Sequence, residues 1–318
     1  MIYLALLIGF AMLVAGGDGF VRGAVALARR LGVSPMLIGL TLVGFGTSAP
    51  ELVTSVQAAL KGSPGIAVGN VVGSNIANVL LILGTAALLY PIATRPAGFR
   101  RDGSVVVAAA LACAAVVVLG EAGRVTGALL VVALVAYLVL TYWHETRAPD
   151  AAGAVYAEEA EAVPALVGRP WLAGLVTLAG LALVLVGARL LVDAASELAR
   201  LAGVSEAVVG VSVVAIGTSL PELVTAVTAA LRGHPDVAFG NVVGSNIVNV
   251  LGILGVTALV QPLAVPPEIA RVDVWVMLAA TALLVTAAVT GARITRAEGA
   301  GMLALYAGYM GWLALGPA

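Results

Sequence analysis

Residues 46–84 read GTSAPELVTSVQAALKGSPGIAVGNVVGSNIANVLLILG, and residues 217–255 read GTSLPELVTAVTAALRGHPDVAFGNVVGSNIVNVLGILG. About three-quarters of the positions agree, far above what internal structural repeats usually retain. A shift of 171 residues puts Glu51 on Glu222, Asn70 on Asn241, Ser74 on Ser245 and Asn78 on Asn249. No gap is needed from about residue 13 to residue 84. Each copy sets a proline, a glutamate and several hydroxyls inside an otherwise apolar run.

The surroundings make that choice costly. The 318 residues are 61% hydrophobic and 10% charged, with a mean hydropathy of +1.10. Soluble domains carry roughly 25% charged residues. Apolar stretches of about 20 residues recur, the length that crosses a bilayer core of ~30 Å. The chain therefore reads as an all-α polytopic membrane protein. Its net charge of −1 says nothing about nucleic acid, and with no basic patch no nucleic-acid partner is expected. The single cysteine, Cys113, excludes an internal disulfide and reads as a small core residue. The apolar start, MIYLALLIGFAMLVAGG, lacks a basic leader and has a counterpart later in the chain, so it reads as a span and not a signal peptide.

Apolar periodicity predicts ten helices, near 2–30, 34–61, 65–90, 102–120, 124–144, 171–200, 205–232, 236–260, 270–290 and 297–316. Residues 145–168 form an acidic, Pro/Ala-rich linker between a first five-helix repeat, 1–144, and a second, 169–318. Five is odd, so the second copy enters the membrane from the opposite side. The expected fold is two inverted five-helix repeats. With the N-terminus outside, the inner loops hold Arg29, Arg30, Arg95, Arg100, Arg101, Arg147, Arg169, Arg232, Arg293 and Arg296. The outer loops hold only Lys61, Arg124, Arg200 and Arg271. That bias predicts both termini on the extracellular or periplasmic side of the cell (inner) membrane and the linker in the cytoplasm.

Pro50 has no N–H to give the Gly46 carbonyl, and Pro221 withholds one from Gly217. In hydrocarbon a freed carbonyl needs another partner, and a cation is one. Thr47, Ser48 and Glu51 share a helical face, as do Thr218, Ser219 and Glu222. Thr54 and Thr225 lie one position off it. The next helix adds Ser74 and Asn78, mirrored by Ser245 and Asn249. Every donor is oxygen, with no His, Cys or Met, which suits hard cations over zinc or copper.

Buried carboxylates must be paired or neutralised. Lys61 and Arg232 sit about ten residues, or ~15 Å of helix, from the glutamates and are too far to pair. A divalent ion between the two glutamates would neutralise both. Calcium takes 6–8 oxygens in a flexible shell, and magnesium is a poorer match. GNVVGSN is not a phosphate loop, since no lysine follows and no strand precedes. Its glycines serve close helix contact, and Asn70 and Asn241 serve either structural hydrogen bonding or the site. Asp18 with Arg22, and Arg189 with Asp193, are spaced to form ion pairs within or between the first and sixth helices. His144 and His234 have no partner at ligand spacing.

Both signatures, GTSAPELVTS…GNVVGSNIANV and GTSLPELVTA…GNVVGSNIVNV, resemble those of sodium/calcium exchangers of the cation/calcium antiporter superfamily. With the short linker, the resemblance is to the compact prokaryotic type. It implies two long tilted helices, here the first and sixth, sliding across a core of eight. It implies Ca2+ between Glu51, Glu222, Thr47 and Thr218. Sodium sites would use Ser48, Ser74, Ser219 and Ser245, with the carbonyls of Gly44 and Ala215. Ca2+ and Na+ are then the transported ions, with no cofactor, no enzymatic reaction and no obligate protein partner. Several relatives carry Asp where this chain has Asn78 or Asn249, so two carboxylates remain. Ca2+ would leave such a site neutral, and three Na+ would leave it at +1. That argues against potassium co-transport. Proton/calcium exchangers carry Gly-Asn-x-x-Glu, and here that Glu position is Gly73 or Gly244, favouring sodium. A proton-coupled cation antiporter on the same fold is the alternative. An intramembrane enzyme using Glu51 and Glu222 as an acid/base pair would need a nucleophile, and no His or Lys is spaced to activate a serine; a passive channel would hold its ion too firmly.

Overall fold

The computed structural model of the protein describes residues 2–33, 44–93, 96–147, 170–231, 235–290 and 293–315, with Ala157 and Glu161. They are overwhelmingly helical. The first helix, α1, is Ile2–Arg30. Short α2, Gly44–Thr47, and α3, Ala49–Leu60, meet at Ser48. Next come α4, Pro64–Leu89, α5, Pro96–Leu119, and α6, Arg124–Arg147. The second half runs α7, Pro170–Ala202, then α8, Glu206–Thr218, and α9, Leu220–Leu231. Helix α10 joins Pro235–Ile247, Val248–Leu254 and Gly255–Val260. The last two are α11, Ile269–Thr290, and α12, Arg296–Ala314.

Seven helices among the described residues are long and apolar enough to cross a membrane, or eight if the bent pair α8–α9 is one span. Their exposure sorts them. In α4, 94% of the most apolar window is buried, and in α10, 83%; α1, α6 and α7 bury about a third or less. The motif helices are thus the centre, and α1, α6 and α7 turn Leu4, Leu7, Val125, Leu129, Leu178 and Val186 outward. Helices apolar on all sides belong in lipid. Exposed Tyr142 and Trp143 lie in the last two turns of α6, and exposed Trp171 in the first turn of α7, the placement of an interfacial aromatic belt. At 1.5 Å per residue α1 is about 44 Å long and α7 about 50 Å, well over the ~30 Å hydrocarbon core.

Contacts between the halves are reciprocal. In α1 and α7, Gly9 lies against Gly187 and Gly16 against Gly180. Gly180 is the repeat mate of Gly9, and Gly187 of Gly16, so the two helices cross antiparallel through one self-complementary glycine seam. Gly23 extends it against Ala173 and Thr177. Both helices stop at a glycine with positive φ, Gly32 (74°) and Gly203 (67°), a backbone shape that costs glycine nothing. Four two-residue strands repeat the pattern. They are β1, Ile92–Ala93; β2, Glu121–Ala122; β3, Leu263–Ala264; and β4, Arg293–Ile294. Strand β1 pairs antiparallel with β4, and β2 with β3. Each strand joins the opposite half of the chain.

Several expectations need correction. Helix α5 begins at Pro96, six residues before the expected 102, because a polar turn carrying Arg101 and Asp102 precedes its apolar run. Helix α6 runs to Arg147, into the expected linker. Asp193 does not pair with Arg189. It takes Lys61, whose Nζ also donates to the Arg189 carbonyl at 3.4 Å, tying the end of α3 to α7. Asp18 and Arg22 do pair, at 2.8 Å. Residues 34–43, Arg232, His234 and nearly all of the linker lie outside the described residues.

Two ties, one buried and one part-buried, went unread in the sequence. Tyr309 donates to Asp273 at 2.6 Å, and Tyr137 to Asp102 at 3.1 Å. Asp102 also receives Arg101 Nε at 2.9 Å. Tyr309→Phe should therefore lower stability by about 1–3 kcal/mol, since it strips a donor from a buried carboxylate. Tyr137→Phe should cost less than about 1 kcal/mol, because Arg101 stays. Thermal unfolding in detergent reads both, and equal losses would contradict this ranking.

Candidate functional site

The site forms where both copies of the motif break. Ser48 leaves the helix at φ −86°, ψ 8° and Ser219 at φ −82°, ψ 8°. The helices resume at once with Pro50 and Pro221 in their first turns. In the second half the break bends the chain by 46°. Proline can start a helix but cannot continue one, so the two proline positions set both breaks. Glu51 and Glu222 then fall in the first turns of α3 and α9, where the helix dipole favours a carboxylate.

Each glutamate is held by the other repeat. Ser219 Oγ donates to Glu51 Oε1 at 2.9 Å, and Ser48 Oγ to Glu222 Oε1 at 3.0 Å. Both carboxylates are 2% exposed. Ser219 Oγ also lies 3.1 Å from Ser74 Oγ. From α4, Asn70 Nδ2 donates to the Glu51 carbonyl at 3.2 Å; from α10, its mate Asn241 donates to the Glu222 carbonyl at 3.3 Å. The structural role left open for these two asparagines is thereby filled. Thr218 Oγ1 donates to Asn70 Oδ1 at 2.9 Å. The mirrored contacts are not perfect copies. Asn70 also reaches Ser55 Oγ at 3.0 Å, and the mate of Ser55 is Ala226.

Hydrogen bonds bring five of the predicted ligand residues together: Ser48, Glu51, Ser74, Ser219 and Glu222. Thr47, Ser48, Glu51, Ser74 and Asn78 are buried, as are Thr218, Ser219, Glu222, Ser245 and Asn249. Gly44 opens α2. The Ala215 carbonyl opens the last turn of α8 and accepts the Ser219 amide at 3.1 Å. Among the described residues, no three of His, Cys, Asp and Glu cluster as a metal site. The side chains that donate to the two carboxylates are serine hydroxyls. Five side-chain oxygens of the predicted ligand set are buried without a hydrogen-bond partner: Glu51 Oε2, Glu222 Oε2, Asn78 Oδ1, Asn249 Oδ1 and Ser245 Oγ. Each such group costs ~1–3 kcal/mol, and more when charged. Oxygen lone pairs are the ligands that a hard cation takes.

Asn78 and Asn249 sit at matching widenings of their helices. Asn78–Leu83 and Val248–Leu254 are π-helical turns inside α4 and α10. Such turns recur at functional sites. Sequence spacing missed the neighbouring Asn75 and Asn246. Asn78 Nδ2 donates to Asn246 Oδ1 at 2.9 Å. Their identical place in both GNVVGSN copies was the available signal.

The family model described as sodium/calcium exchanger protein matches residues 1–143 and 172–315. The chain belongs to the sodium/calcium exchanger family. It is 35% identical to the sodium/calcium exchanger MaX1 of Methanosarcina acetivorans, over 97% of each chain. It is 34% identical to the inner membrane protein YrbG of Escherichia coli, covering 98% of this chain and 95% of that one. A solved structure of the sodium-calcium exchanger NCX_Mj, soaked with Na+ and Sr2+, superposes with a TM-score of 0.64. The identity is 32%, covering 98% of this chain and 99% of that one. The compact prokaryotic type expected from the short linker agrees with these full-length matches. This exchanger is a multi-pass membrane protein of a transporter family, not an enzyme.

Proposed function

We propose that the chain is a secondary active antiporter that exchanges Na+ for Ca2+ across the inner membrane by alternating access. Calcium would sit between Glu51 and Glu222, flanked by Thr47 and Thr218. Sodium would use Ser48, Ser74, Ser219 and Ser245, the carbonyls of Gly44 and Ala215, and the amide oxygens of Asn78 and Asn249. The observation that carries this reading is the crossed serine–glutamate pair, which leaves one oxygen of each carboxylate unpartnered in the same buried place. Two carboxylates balance one Ca2+. Three Na+ on the same ligands would leave a net charge of +1, so exchange in that ratio moves charge.

The architecture behind the reading is ten spans in two inverted five-helix repeats, 1–144 and 169–318, joined by a cytoplasmic linker, with both termini outside. The reciprocal glycine, strand and serine–glutamate contacts support it. The mobile part would be α1 with α7. Helix α1 lies across both motif breaks: Val21 leaves no room for a Cβ on Gly46, and Phe10 leaves none on Gly217. Sliding α1 would cover one break while clearing the other.

The test is flux. Purified protein in sodium-loaded liposomes, diluted into sodium-free buffer, should take up radioactive calcium. An inside-positive potential, which favours the exit of net positive charge, should speed it. Uptake driven by a pH gradient alone would keep the two glutamates and replace sodium with protons as the counter-ion.

A further inference from the structure

Asn78 offers a cation site an ambiguous group. A carboxamide has an oxygen at one end and an NH2 of similar size at the other, and only the oxygen can coordinate a cation. Something must choose which end faces the ion. The side chain of Asn78 is 1% exposed, so bulk water does not choose. Its Nδ2 donates to Asn246 Oδ1 at 2.9 Å, which leaves Oδ1 as the free end, buried and without a partner. Asn246 is itself buried. Its own Nδ2 has no partner, and the residue lines a narrow crevice with Asn75, Met277 and Thr281. The mirrored bond is not made, for both amide atoms of Asn75 are without partners.

We propose that Asn246 is a positioning residue: by accepting the Asn78 NH2 across the repeat boundary, it fixes the Asn78 amide with its oxygen toward the transported cation. Asn246 touches no ion itself. Without the Asn246 oxygen, the Asn78 NH2 loses its acceptor and the amide is free to turn, presenting hydrogens to a cation. The proposal rests on Asn78 being a ligand, as put forward above.

A double-mutant cycle on calcium uptake in proteoliposomes tests it. Asn246→Ala should raise the KM for Ca2+ on the order of tenfold, as expected when a buried donor is stranded and a ligand misdirected. In an Asn78→Ala background there is no amide to orient. There the same Asn246→Ala change should move KM by less than about twofold. A packing role for Asn246 would cost the same in both backgrounds, and that result would overturn the proposal. Asn78→Ala separates the premise from the inference. If it raises KM while Asn246→Ala does not, the positioning role fails and the ligand reading stands. If Asn78→Ala leaves KM unchanged, the ligand assignment fails and the proposal falls with it. Should the alanine variant unfold in detergent, Asn246→Ser takes its place, being too short to reach Asn78 yet still polar.

Discussion

Glu51→Gln and Glu222→Gln should each reduce sodium-driven calcium uptake by more than about a hundredfold, while leaving the ion-free protein as stable as before or more so. The two expectations have opposite signs for one reason. Each carboxylate is buried and keeps one oxygen without a partner. A buried charge without full compensation is expensive, so a neutral amide of the same shape relieves the empty fold. The same charge is what balances a divalent ion, and the loss of one leaves Ca2+ half compensated in a low-dielectric site. Thermal unfolding with and without calcium reads both halves. In the wild type, Ca2+ should raise the midpoint, by about 2.7 kcal/mol of stabilisation at a hundred times its Kd. In either variant that ion-dependent shift should vanish. Wild-type uptake in both variants would sink the site assignment. A collapse of the ion-free midpoint would instead mean that the carboxylates hold the fold together.

What the sequence could reveal depended on whether a feature is local or repeated. The shift that lays Glu51 on Glu222 needs only identity, and it led directly to two matching breaks. The prolines located those breaks because proline acts on its own turn. Partners across the fold were harder. Asp193 has Arg189 four residues back, a spacing that suits a helical ion pair, yet its partner is Lys61, 132 residues away in the chain. Asn70 was undecided because a buried amide reads alike as a tie or a ligand until its neighbours are known. The π-helical turns at Asn78 and Val248 leave no mark in apolar spacing over six or seven residues. The Asn78–Asn246 bond crosses between repeats, and a shift that aligns like with like says nothing about which unlike positions meet.

Gly180→Ala should cut transport at least tenfold and lower the unfolding midpoint, although it adds a single methyl. A Cβ on Gly180 would stand 2.4 Å from the Phe20 nitrogen and 2.7 Å from the Gly16 carbonyl oxygen. Both are backbone atoms, so no side chain can swing aside, and α1 must move away from α7. Overpacking of this kind costs ~1–3 kcal/mol. Gly174 on the same helix is the control, since its Cβ would meet nothing within 4 Å. Gly174→Ala should be neutral or stabilising by up to ~1 kcal/mol, from helix propensity alone. The comparison bears on mechanism as well as packing. Membrane helices gain little from hydrophobic association and rely on close small-residue contact. If α1 and α7 travel as one body over the core, the seam must outlast every cycle, and loosening it should slow turnover more than it weakens calcium binding. The expected signature is therefore a fall in kcat with KM within about threefold of wild type. A rise in KM with kcat unchanged would mean that the seam shapes the ion site directly. Equal activity of the Gly180 and Gly174 variants would show that the two helices do not need their close approach.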